Sequence, residues 1–191
     1  IVVSNLVVTF TKAYASANRV AEVRSIDTAV ASGNLTYAPV SGVPQIEFRS
    51  VFFTYGDGEN ELEDISFTVQ RGETVGTIGT TGAGKTTLIN LLMRFYDVSS
   101  GEIRINGHDI RDYDLSSLRG AVAAVPQKVQ LFSGTVEQNI RWGKPDATDE
   151  QVVRAARAAQ ADGFITANPE GYQAQIERGG VNFSGGQRQR L

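Results

Sequence analysis

The 191-residue chain has no cysteine and a single histidine, His108. The first absence excludes disulfides and thiolate metal sites, and it is compatible with the cytosol. The second leaves little material for a histidine metal centre or a Ser/His/Asp triad. His108 itself stands in Asn106-Gly107-His108-Asp109, which reads as a surface turn after a strand. Positive charge is not in excess either: 18 Lys and Arg against 21 Asp and Glu give a net charge of −3. That balance argues against a broad nucleic-acid-binding surface. The opening Ile-Val-Val-Ser-Asn-Leu-Val-Val-Thr-Phe is apolar and uncharged, but it falls short of the about 20 residues that cross a bilayer. It also lacks the basic start and small-residue cleavage site of a signal peptide. There is no internal repeat and no low-complexity segment.

What the chain does have is an apolar share of 41%, enough for a core, and a glycine-rich run at Gly79-Thr80-Thr81-Gly82-Ala83-Gly84-Lys85-Thr86-Thr87. Gly79, Gly84, Lys85 and Thr86 satisfy the phosphate-loop template G-x-x-x-x-G-K-[ST]. Glycine lets the backbone curl so that successive N–H groups face one concave nest with no side chain in the way. Lys85 supplies a mobile charge for the β- and γ-phosphates, and the Thr86 hydroxyl is placed for Mg²⁺. A helix beginning here adds its positive end to the anion site. Leu88, Ile89, Leu91, Leu92 and Phe95 follow at helical spacing, and Thr74-Val75-Gly76-Thr77-Ile78 before the loop reads as a strand.

Elsewhere, Lys12, Arg19, Glu22 and Arg24 with Val20 and Val23 suggest a helix after the apolar stub. An apolar stub followed by basic residues fits two readings equally: the last turns of a membrane helix leaving on the cytoplasmic side, or the frayed N-terminal helix of a soluble domain. Residues 31–44, with Gly33, Pro39, Gly42 and Pro44 among them, form a linker by composition, so the folded domain starts near Gln45. Ile46, Phe48, Phe53 and Tyr55, then Ile65, Phe67 and Val69, alternate with period two and predict an antiparallel pair. Residues 102–106 and 121–125 read as further strands. From Thr148 onward the pattern is helical, with a capping box at Thr148 and Gln151 and with Val152, Val153, Ala156 and Ala159 on one face. Strands alternating with helices predict an α/β domain.

A second motif narrows the class. Asn182-Phe183-Ser184-Gly185-Gly186-Gln187-Arg188-Gln189-Arg190 pairs a good helix N-cap with two glycines that permit close backbone approach. It resembles the signature sequence of the ATP-binding cassette (ABC) family, with Phe183 where leucine is usual. Other parts of the chain are then similar to family elements in the family's order. Tyr55 resembles the aromatic residue that stacks on adenine. Val125-Pro126-Gln127 resembles the Q-loop, whose glutamine reaches Mg²⁺ and the attacking water, although Lys128 replaces a commonly acidic neighbour. Leu131–Thr135 with Asn139-Ile140 resembles the segment that faces membrane domains, and Glu177-Arg178-Gly179 the loop that exporters place near the coupling helices. Ala15–Val20 resembles the stretch leaving the last membrane helix of exporters with fused membrane and ATPase domains.

The resemblance implies a P-loop NTPase core with an antiparallel β subdomain and a helical subdomain. It divides the chain into 1–30, the end of a transmembrane domain and its exit helix; 31–44, a linker; and 45–191, a nucleotide-binding domain. ATP and Mg²⁺ are the implied cofactors. Tyr55 and residues 79–87 would hold ATP, with Lys85 and Gln127 in the catalytic role and Thr86 and Gln127 on the metal. Ser184, Gly185, Gly186 and Gln187 would cap the ATP of a second ABC nucleotide-binding domain in a homo- or heterodimer. The other implied partner is a transmembrane domain of the same chain, in the cell membrane with this domain on the cytoplasmic side; no nucleic acid is implied. Walker B, the catalytic glutamate and the switch histidine are expected beyond Leu191, which makes this a fragment of little turnover. The alternatives are a soluble ABC ATPase of DNA repair or translation and a partner subunit with a degenerate site.

Overall fold

The computed structural model describes residues 2–26, 30–56, 58 and 60–191. The first expected segment, 1–30, therefore includes four positions (Ile1, Asp27, Thr28 and Ala29) outside the described residues. The chain forms two compact units, residues 1–123 and 124–191. Helix α1 (Val2–Arg24) has no glycine or proline to interrupt it and buries none of its residues. Among the described residues no helix is long and apolar enough to cross a membrane.

The first unit is organised around a four-stranded antiparallel sheet in the order β2-β1-β3-β4. Its strands are β1 (Ile46–Thr54), β2 (Asn60–Val69), β3 (Ser100–Ile105) and β4 (His108–Asp109). Period-two alternation alone would send Phe48 and Val51 to opposite faces. A bulge between them, with Ser50 at φ 44°, resets the phase so that Phe48, Val51 and Phe53 all point into the core. Gly101 makes this possible, because a Cβ there would run into the Ser50 carbonyl. Phe48 stacks on Phe67 across the β1–β2 pair at 4.5 Å. Leu62, Leu91, Ile103 and Ile105 complete the inner layer, each such burial contributing about 1.5–3 kcal/mol relative to exposure.

Two predicted strands do not form. Residues 74–78 and 122–125 carry no ladder, and Ala121 instead closes helix α3 (Leu115–Ala121). A strand is a relation between neighbours rather than a local state, and among the described residues no strand lies beside either segment. Ile78 is accordingly 99% exposed. The segment read as a linker is irregular but not loose. Gly33 and Asn34 donate backbone N–H groups to Tyr113 and Asp112, and the Leu35 N–H donates to Asp112. The Asn106 amide donates to the Ala38 carbonyl, and the Tyr37 N–H donates to Ser117 Oγ. Asp114 caps α3 through the Ser117 N–H, and this bond with that of the Ser32 hydroxyl holds its carboxyl below the usual range.

The second unit has its own core of Leu131, Val136, Ala161, Ile165, Ala174 and Ile176 with Ala156. It is built from α4 (Val136–Arg141), α5 (Asp149–Ala158), α6 (Asp162–Thr166) and α7 (Gly185–Arg190). A two-stranded antiparallel pair, β5 (Gly134–Thr135) and β6 (Gln175–Ile176), joins them. Three of these helices start with a complete capping box: Thr135/Gln138, Thr148/Gln151 and Ser184/Gln187. On α5 the expected face is narrower than its four residues: Val152 and Ala156 are buried, Val153 is half-buried and Ala159 is exposed. The α-helix turns about 100° per residue, so seven positions place Ala159 near Val152, but the helix ends at Ala158 and Ala159 caps it.

Candidate functional site

In the first unit the glycine-rich run leads directly into α2 (Lys85–Leu92). Gly82 and Gly84 both take left-handed backbone, at φ 86° and 75°, which a side chain makes costly. Gly84 is doubly constrained: a Cβ there would sit 2.5 Å from Leu62 Cδ2 and 2.9 Å from the Glu61 carbonyl oxygen. The loop is thus seated against the start of β2, while Gly79, Thr80, Thr81, Gly82 and Ala83 remain exposed. Lys85 arches back over it, its Nζ donating to the carbonyls of Gly79 at 2.8 Å and Thr80 at 2.6 Å. Thr86 is exposed in the first turn, whereas Thr87 is buried at 5% exposure. The pair divides one structural role and one available hydroxyl between neighbouring threonines.

Tyr55, at the end of β1, shares this unit with the loop. Its hydroxyl lies 3.4 Å from Thr87 Oγ1 and accepts from Asn90 Nδ2 at 3.3 Å. Its ring is held edge-on by Phe53 at 4.6 Å and by Tyr96 at 5.0 Å. It keeps 38% exposure, so a rigidly oriented aromatic surface stands beside Thr87 and Asn90 of α2. Tyr96 and Asn90 were not anticipated. Their role depends on tertiary placement beside Tyr55, and nothing in their local sequence marks it.

In the second unit Gln127 is exposed, and its carbonyl receives Gln189 Nε2 at 3.5 Å. A cavity of about 730 Å³ opens here, with Gln127, Lys128, Arg178, Gly185, Arg188 and Gln189 on its walls. Its charged lining is wholly basic. Ser184 caps α7 as its residue type predicts: its hydroxyl accepts from the Gln187 N–H, and the Gln187 side chain returns to the Ser184 N–H. Gly185 and Gly186 meet nothing where a Cβ would stand, leaving the first turn of α7 bare. Phe183 is half-buried, edge-on to Phe164 at 6.3 Å. Leu131–Thr135 is closed by the buried Asn139, whose amide exchanges hydrogen bonds with Phe132 N–H and C=O.

Divalent cations with small, hard character favour oxygen ligands and keep phosphate and water oxygens among them. Among the described residues no group of three His, Cys, Asp or Glu side chains gathers to hold a metal. The exposed Thr86 hydroxyl beside the glycine nest fits a Mg²⁺ that arrives with phosphate oxygens rather than one caged by protein carboxylates.

A family model described as ABC transporter matches residues 62–191. The chain is 52% identical over 147 residues to YgaD of Bacillus subtilis, named for multidrug export as an ATP-binding/permease protein; the match covers 76% of this chain and 25% of that one. It is 48% identical over 147 residues to ATP-binding cassette sub-family B member 6 of Mus musculus, covering 77% of this chain and 18% of the mouse protein. The chain therefore spans about a quarter or less of the length of these curated relatives. Among solved structures, a bacterial Atm1-family ABC exporter with ATP bound matches 95% of this chain and 32% of its own, at a TM-score of 0.86 and 35% identity.

Proposed function

The chain belongs to the ABC transporter family, and from that premise we propose that it binds ATP and, in the intact protein, serves the ATP hydrolysis that drives export of a substrate across a membrane. One observation carries the reading: the glycine nest at Gly82 and Gly84, with Lys85 at the head of α2, lies in the same unit as the exposed, edge-braced ring of Tyr55. The ring offers a face for adenine, and the loop N–H groups take the phosphates. Lys85 turns from the Gly79 and Thr80 carbonyls to the β- and γ-phosphates. Thr86 would hold Mg²⁺, which would supply charge neutralisation on the transferring phosphoryl group.

The bare first turn of α7, with Ser184, Gly185, Gly186 and Gln187, caps the ATP bound by a second ABC nucleotide-binding domain. Two such domains then close around two ATP molecules, with donors on both sides of the developing charge. Export is supported by relatives named for it and by likeness to a solved exporter; a role in DNA repair or translation is not favoured. The domain works on the cytoplasmic side, next to membrane helices. The test is Lys85→Ala. Calorimetric titration with ATP and Mg²⁺ is expected to show at least about a tenfold loss of affinity, roughly 1.4 kcal/mol. Unchanged affinity would sink the reading.

A further inference from the structure

The C-terminal end of α2 is gripped in a way that phosphate binding does not require. Arg94, one residue past the Met93 cap, takes left-handed backbone at φ 50°. Its side chain is 3% exposed, and its guanidinium spends its donors in three directions. Nε donates to Asp97 Oδ1 at 2.8 Å, Nη1 to the Arg111 carbonyl at 3.3 Å, and Nη2 to the Ala31 carbonyl at 2.8 Å. From outside, Arg119 of α3 donates to the carbonyls of Met93 and Arg94 and lies over the Phe95 ring. Ala31 begins the docked segment whose Gly33, Asn34 and Leu35 N–H groups bond to Asp112 and Tyr113. A buried arginine thus fastens the end of the phosphate-loop helix to the stretch of chain that follows α1.

We propose that Arg94 is a positioning residue that makes α2 and the segment 31–38 move as one body, so that phosphates bound at the start of α2 are felt at the linker. The inference rests on the reading of residues 79–87 as an ATP site. An eight-residue helix spans about 12 Å and does not bend appreciably over that length. Leu91 anchors it without exposure, so a shift at Lys85 is delivered to Met93 and Arg94. Arginine is needed because one planar fork serves two carbonyls from separate segments while Asp97 balances its charge; lysine, a point charge, cannot. Gly33 is the matching element on the linker side, since a Cβ there would collide with the Asp112 carbonyl.

The experiment is hydrogen exchange at residues 33–35 with and without Mg²⁺ and the β,γ-imido analogue of ATP. In the parent chain the nucleotide should slow exchange there by about fivefold or more, the lower range of site-to-site coupling. Arg94→Lys retains the Asp97 pair, and Gly33→Ala lifts the linker from the other side. Each should bind nucleotide about fivefold more weakly than the parent, the reciprocal of the coupling, and show no nucleotide-dependent change at 33–35. A purely structural role would raise exchange equally in both conditions and keep the difference. Slowing that persists in Gly33→Ala overturns the proposal, even should Arg94→Lys fail to fold. So does a parent chain that binds the analogue without any response at 33–35. A parent that binds no nucleotide overturns the ATP reading, and the tether with it.

Discussion

Tyr172 shows how a single side chain sets a pH boundary. Burial, and then the 2.6 Å bond its hydroxyl donates to Asp162 Oδ1, push its ionisation up to about 12 from the ordinary 10.0. The same bond, joined by Arg157, holds the Asp162 carboxyl below its ordinary 3.8. The folded state thus favours the neutral phenol, and its contribution is complete below pH 10.0 and lost as pH climbs toward about 12. For Asp162 the sign is reversed: the contribution is present above pH 3.8 and fades as acid protonates the carboxylate. Ultraviolet titration of the six tyrosines should show one ionising near 12, absent from Tyr172→Phe. At this scale the start of α2 at the glycine-rich run was legible, because the run is contiguous and its glycines answer to local backbone geometry. Arg94 and Tyr96 were not, because what they do is defined by Ala31 and Tyr55, which lie far away in the chain.

At the scale of elements, helix starts were the readable feature. A capping box is a four-residue object, and Thr148 with Gln151 forms one as its spacing predicts. Thr148→Ala should cost about 1 kcal/mol in a urea titration, with nucleotide affinity intact. Ser184→Ala removes the same kind of cap from α7 and should cost a similar amount, read as faster exchange of the Gln187 N–H. Strands were legible where both partners carried the pattern, as for β1 and β2 and for the 102–106 run that forms β3 beside β1. The apolar runs at 74–78 and 121–125 have strand composition but no ladder, since pairing is a property of two segments and composition belongs to one. The docking of 31–38 failed to register for the same reason: loop-like residues gave no sign of the carbonyls awaiting them at Asp112 and Tyr113.

For the whole molecule, the glycine-rich run that opens α2 lies in one compact unit and α7 in the other. Ile165 is fully buried in the second, and Ile165→Ala should cost about 2–5 kcal/mol there through the cavity it leaves. Hydrogen exchange is expected to rise in α5 and α6, while β1 protection and nucleotide affinity stay at parental values. Equal loss in β1 would refute the separation. That each unit is built around its own core also bears on how such a sequence diversifies. A substitution in the second core is met first by the other members of that cluster, from Leu131 to Ile176. A recombination crossover near residues 123 and 124 would leave both core clusters unbroken.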